Sequence, residues 1–299
     1  MAEQYSFGDR MFQTNQGPSF PAHQFIISGT SAPTATSDLF ASGEPYPQNE
    51  AAGCSAPSDV RVQLIDPFGN NTQIQYPCFE HQTIMDKLDD AGISWKYYSP
   101  SAGSIWNGPN AIHHLRYGPD WAKNVIMPNS VVLSDIAQGK LAAVSWVMPT
   151  GQESDHPAIN DGSGPSWVSS VVNAVGNSPY WANTAIFITW DDWGGWYDHV
   201  APPILNSYEY CFRVPLVVVS PYAKPAYVSH VTYDFGSILK MVEQTFNLPS
   251  LGYADSFAND LSDCFNFNQS PITFKTINAP LGPEHFLNYK SQPLDPDDE

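Results

Sequence analysis

An α/β fold with a mainly parallel central sheet flanked by helices is the class this sequence predicts, on three observations. From about residue 83 helical and strand-like runs alternate, the pattern of strands joined by helical crossovers. Several of the strand-like runs are unbroken and apolar, as strands buried on both faces must be. The chain of 299 residues is long enough to bury one large core without help from a metal or disulfide.

In order, Ser6 to Gln13 and Phe20 to Ser28 read as helices. Gly, Pro and Ser then dominate to residue 59, which reads as loop. Val60 to Ile65 alternates, Gly69-Asn70-Asn71 turns, and Thr72 to Tyr76 returns as a hairpin. Thr83 opens a short helix with Asp86 three residues on, Gly92 closes it, and Ser94 to Tyr98 is strand-like. A helix from Ser130 to Gln138 ends at Gly139, and Ala142 to Met148 is a buried strand stopped by Pro149. The pattern repeats with a helix from Pro165 to Val175 and a strand from Thr184 to Trp190. A third strand, Val214 to Ser220, precedes a helix from about Tyr233 to Phe246. Residues 1–291 read as one domain, and 292–299, acidic and Pro-containing, as a frayed tail.

Twelve Lys and Arg against 30 Asp and Glu give a formal charge of -18. That excludes nucleic acid as a partner and argues against a basic membrane-docking face. It also opposes anionic substrates, so a phosphate site here needs a cation or aimed backbone N–H groups. No apolar run is long enough for a transmembrane helix and no leader is visible. None of the four Cys has metal-ligand spacing; Cys54 and Cys78 flank the hairpin and are either a disulfide or two buried thiols.

The sharpest feature is Trp190-Asp191-Asp192-Trp193-Gly194-Gly195-Trp196-Tyr197-Asp198-His199, directly after a buried strand. Ligands of open α/β sheets bind beyond the carboxyl ends of strands. Two carboxylates about 4 Å apart repel by about 4 kcal/mol at an effective dielectric near 20, and a cation reverses that cost. Neighbours on a strand point to opposite faces, so Asp191 and Asp192 converge only if the chain leaves the strand between them, which Gly194 and Gly195 permit. A solvated turn is the bland alternative. In Gly17-Pro18-Ser19-Phe20-Pro21-Ala22-His23, Ser19 has the side chain of an N-cap and Pro21 suits a first turn. A hydroxyl there meets the positive helix end, where free N–H groups receive an anion, a position suited to a nucleophile. A plain helix cap explains the same residues. His156, in Ser154-Asp155-His156-Pro157, follows the strand that ends at Met148 and is placed to ligate a metal when neutral, or when protonated to hold a phosphoryl oxygen or feed a proton to a leaving group; a loop histidine bonded to backbone is the bland alternative. His113 and His114 lie on an ambiguous helical segment.

At these residues the chain resembles the phosphoesterase family of bacterial phospholipases C and acid phosphatases, within the alkaline phosphatase superfamily. The likeness also covers Gly8-Asp9-Arg10-Met11-Phe12-Gln13 and Arg213-Val214-Pro215-Leu216, and spans about Phe7 to Phe274. It implies an alkaline-phosphatase-like fold, Ser19 as nucleophile, Asp191 and Asp192 as ligands of a divalent metal (Mg, Ca, Mn, Zn or Fe), and His156 and His114 as catalytic histidines. It further implies a phospho-enzyme, a small-molecule or phospholipid phosphate ester as substrate, and an extracytoplasmic or secreted location. The family's opening strand ends in Glu-Asn, which completes the metal site, and this chain has no Glu-Asn pair. The expectation is therefore a fold with its first strand missing, and the alternative to an active hydrolase is an impaired remnant that binds an anion or partner.

Overall fold

The computed structural model describes residues 1–48, 51–71, 73–157, 159 and 161–289; the expected acidic tail lies outside the described residues. The first segment is extended, not helical: β1 (Ser6–Gly8) is followed by bridges from Met11 to Tyr233, Phe12 to Arg213 and Asn15 to Glu209. A helix over Ser6 to Gln13 would forfeit those pairings. The next helix, α1 (Ser19–Ser28), ends at Gly29 in the left-handed region (φ 71), whose N–H reaches the Phe25 carbonyl. It is buried almost throughout, with Phe20 and Ile27 in one core cluster and Ala22 and Phe25 in another.

After β2 (Phe40–Ala41), β3 (Val62–Ile65) and β4 (Gln73–Gln75) form the expected hairpin, and the three strands make a small antiparallel sheet. Cys54 and Cys78 are disulfide-bonded across this region. The helix α2 (Ile84–Asp90) carries the Thr83/Asp86 capping box. It leads to β5 (Trp95–Tyr98), then α3 (His113–Tyr117), α4 (Trp121–Asn124) and β6 (Val125–Ile126). α5 (Val131–Ala137) and β7 (Val144–Val147) follow, and β6, β5 and β7 form a wholly parallel sheet in that order.

The long helix α6 (Ser163–Gly176) returns the chain to β8 (Ile186–Thr189). β9 (Leu216–Val219) and β10 (Tyr227–Ser229) then join β1 and β8 in a four-stranded sheet of order β10-β1-β9-β8. That sheet is mixed: β1 is parallel to β10, whereas β9 is antiparallel to both β1 and β8. The single, mainly parallel sheet expected from the alternating pattern is thus three small sheets, because register and direction depend on partners distant in sequence. The chain finishes with α7 (Phe235–Phe246), capped by Asp234 and ended at Asn247 (φ 54), then α8 (Ala254–Phe257) and α9 (Pro283–Asn288).

Helices α6 and α7 cover opposite faces of the strands. Ile186 and Ile188 pack with Val168 and Val172 of α6, while Phe187 packs in the cluster holding Ile238 and Met241 of α7. This alternation along β8 is the two-residue period of a strand covered on both sides. No helix among the described residues is long and apolar enough to cross a membrane.

Candidate active site

The leading end of α1 and the carboxyl end of β8 meet. Pro18, not Ser19, stands at the cap position, and Ser19 is the first helical residue. Its hydroxyl therefore does not bond its own helix; it donates to Asp192 Oδ2 at 3.2 Å. The approach is held from behind, where the Gly17 carbonyl accepts from Gln13 Nε2 (2.7 Å) and Asn15 Nδ2 (3.1 Å). On the other side, Gly194 (φ 65) and Gly195 (φ 71) turn the chain back, and the Gly194 N–H donates to Asp192 Oδ1 at 2.6 Å. The glycines thus turn the chain back so that the Asp192 carboxylate reaches both Ser19 and the Gly194 N–H.

Asp191 faces His23, with Oδ2 3.3 Å from Nε2. His23 lies one helical turn after Ser19, so both side chains occupy the same face of α1. Its Nδ1 is 3.3 Å from the Tyr97 hydroxyl. That hydroxyl donates to the Trp106 carbonyl (2.7 Å) and accepts the Gly108 N–H (3.4 Å), which makes Nδ1 the donor toward Tyr97. Gly108 must be glycine, since a Cβ there would stand 2.7 Å from the His23 carbonyl oxygen. Burial works against ionisation of Asp191, yet the hydrogen bond and charge of His23, with Ser19, hold its carboxyl below the usual range. Burial raises the Tyr97 phenol, which stays protonated.

His156 arrives on a tight turn in which Asp155 takes a left-handed conformation (φ 60) and the His156 N–H donates to Ser154 Oγ at 3.1 Å. It lines a pocket of about 200 Å³ together with Gly17, Pro18, Glu44, Asp192 and Gly194. Ser19, His156, Asp191 and Asp192 all line the larger cavity of about 1210 Å³ beside it. His114 does not join them. Its Nδ1 is 2.6 Å from Glu80 Oε1 and its Nε2 2.9 Å from Asp86 Oδ1, and it lines neither this pocket nor the larger cavity beside it. The hydrogen bond to Asp86 is the chief cause that raises His114 to about 9.

Two neighbours of these residues were not singled out from the sequence. His23 had a signal, its spacing of four from Ser19. Glu44 had none: it sits in a loop, and its Oε1 accepts the Phe20 N–H at 2.9 Å, so a carboxylate already holds one of the N–H groups expected to await an anion. The remaining motifs are structural braces. Arg213 forks onto Asp198 (2.6 and 2.9 Å) and donates to the Asp9 carbonyl (2.9 Å), tying three of the recognised segments together. Trp193 and Tyr197 pack on Phe212 with ring centroids 4.9 and 5.7 Å away, and His199 is exposed.

The donor set suits a hard cation of the magnesium type, which keeps most of its waters and takes one or two carboxylates plus substrate oxygens. Asp192 accepts from the Ser19 hydroxyl, and the small pocket it lines also carries the Glu44 carboxylate. Among the described residues no group of three or more His, Cys, Asp or Glu is arranged to hold a metal by protein ligands alone.

Residues 1–249 match the model of the phosphoesterase family. The chain is 28% identical over 266 residues to phospholipase C A of Mycobacterium tuberculosis, which covers 76% of this chain and 50% of that protein. It is 25% identical over 306 residues to non-specific phospholipase C6 of Arabidopsis thaliana, covering 91% of this chain and 52% of the relative. The chain thus spans about half the length of these curated relatives. Among solved structures, a protein in the alkaline phosphatase superfamily from Vibrio parahaemolyticus aligns with TM-score 0.47 at 10% identity, over 88% of this chain and 64% of that one.

Proposed function

Because the chain belongs to the phosphoesterase family, we propose that it hydrolyses phosphoric esters, of the phospholipid kind acted on by its phospholipase C relatives, with Ser19 as the attacking group. The observation that carries this reading is the Ser19 hydroxyl donating to Asp192 at 3.2 Å beside the Asp191–His23 pair. Asp192 Oδ2 is the first acceptor for the Ser19 proton as its oxygen bonds phosphorus. The bond from phosphorus to the leaving oxygen breaks, and His156, on the pocket wall, supplies that oxygen with a proton. A water then attacks the phosphorus and gives its proton to His156, the bond from phosphorus to Ser19 breaks, and the Ser19 oxygen takes back the proton held by Asp192. His23 holds Asp191 ionised and oriented throughout, and Tyr97 holds His23. A divalent cation held by Asp191 and Asp192 would offset the charge of the phosphoryl oxygens, which this acidic pocket otherwise repels. The Cys54–Cys78 disulfide supports a place outside the reducing cytoplasm.

The test is release of p-nitrophenol from p-nitrophenyl phosphate and from p-nitrophenyl phosphorylcholine with Mg²⁺, Mn²⁺, Ca²⁺ or Zn²⁺ added in turn. Ser19→Ala and Asp192→Asn should each lower the rate about a thousandfold or more. A second reading, an impaired family member that binds anions without turning them over, is favoured by the fact that no three His, Cys, Asp or Glu among the described residues are grouped to hold a metal. No hydrolysis with any cation, or a rate untouched by Ser19→Ala, would establish it instead.

A further inference from the structure

Two carboxylates, Asp192 and Glu44, line the small pocket at the head of α1, and among the described residues neither Lys nor Arg lines it. Both bear on the nucleophile. Asp192 accepts the Ser19 hydroxyl at 3.2 Å, and Glu44 Oε1 accepts the N–H of the next residue, Phe20, at 2.9 Å. In the hydrolytic reading Asp192 works with Asp191 on a cation, which offsets their charge. Glu44 is held instead at the backbone of α1, so its charge adds to that of a phosphoryl group beside Ser19. His156 is the one lining side chain that can turn positive, and Pro18, Pro157 and Trp193 make up much of the remaining wall.

A phosphomonoester is close to a dianion above neutral pH, with three charged oxygens that each need a donor or cation. A phosphodiester has one charge, and an uncharged ester oxygen takes the place of the third. At a separation of about 5 Å from Glu44, the extra charge is disfavoured about fourfold in the dielectric of water and about 250-fold at an effective dielectric near 20. We propose that Glu44 is a specificity-determining residue of this site, the carboxylate that sets it against phosphomonoesters and in favour of phosphodiesters. The inference rests on the proposed function for the place of the phosphoryl group, beside Ser19. The apolar wall of Pro18, Pro157 and Trp193 suits the diester's second substituent. Were Glu44 only a cap for α1, glutamine would serve equally, because its amide oxygen also accepts the Phe20 N–H.

Binding rather than turnover is the readout. The full chain carrying Ser19→Ala, which cannot form a phospho-enzyme, is titrated by calorimetry at pH 8 with Mg²⁺ present. The probes are p-nitrophenyl phosphate and methyl p-nitrophenyl phosphate, which share a ring and differ by one charge. The same titrations are run with Glu44→Gln added, after circular dichroism has shown both proteins folded. The Ser19→Ala chain should bind the diester more tightly than the monoester. Glu44→Gln should then tighten the monoester about tenfold more than it tightens the diester. Four results overturn the proposal: an equal change for both esters, no change for either, a loss of monoester affinity, and no binding of either ester by either protein. The expected shift in binding, found in a chain whose native form hydrolyses neither ester, would remove the hydrolytic reading and uphold the role of Glu44.

Discussion

Replacing His114 with glutamine should destabilise the protein below neutral pH and leave it nearly unchanged at pH 10. The imidazole bridges Asp86 and Glu80 at 2.9 and 2.6 Å and thereby links α3 to the start of α2. It rises from an ordinary 6.5 to about 9, chiefly through the hydrogen bond to Asp86, against the opposing effect of burial. Fully sheltered, that rise is worth about 3 kcal/mol. The side chain is 33% exposed, so solvent screening brings the expectation to about 1–2 kcal/mol. A group whose folded value lies above its unfolded one contributes fully below pH 6.5 and loses that contribution as pH rises through 9. Urea unfolding of the native chain and His114→Gln at pH 6.5, 8 and 10 would read the difference directly. A gap between the two proteins that stays constant or widens toward pH 10 refutes the clamp. Phosphoesterase activity separates the two roles of this residue: retained turnover in the folded variant is expected, and its loss would return His114 to the chemistry.

Three further outcomes are expected. Replacing both Cys54 and Cys78 by serine removes a link across 24 residues, and should cost about 3.5 kcal/mol by loop-closure entropy, read as a lower Tm that added reductant no longer changes. Gly53→Ala should destabilise by about 2–4 kcal/mol in denaturant unfolding, because the backbone there has φ +60 and a Cβ would stand 2.5 Å from the Asn110 carbonyl oxygen. Burial pushes Asp234, the cap of α7, up to about 7, so its ionisation opposes folding increasingly as pH rises from 3.8 to 7. Asp234→Asn, which keeps a capping oxygen, should therefore gain about 2–4 kcal/mol over the native chain at pH 8 and little at pH 4, measured by unfolding at both values.

The helices α2, α5, α6 and α7 were legible because each has a local signature: a capping box at Thr83 and Asp86, glycine stops at Gly92 and Gly139, and an apolar stripe. The strands at β7, β8 and β9 were legible as apolar runs, but their partners were not. β1 was misread as a helix because its three residues are defined by β9 and β10, more than two hundred positions away. Around the candidate site, Ser19, Asp191, Asp192 and His156 were singled out by motif and by position after strands, and all four line one cavity. His114 was named beside them because a histidine on a short helix looks the same whether it faces a substrate or two carboxylates.

By itself the sequence determined the α/β class and most of the helices, since these depend on periodicity, caps and spacing within about a turn or strand. Only the tertiary structure decided that His23 holds Asp191, that Glu44 occupies an N–H at the head of α1, and that the sheet is divided at β7 and β8. Each of these depends on which distant segments share a volume, and the free energy of burial that decides it is summed over the whole core rather than written in any one stretch.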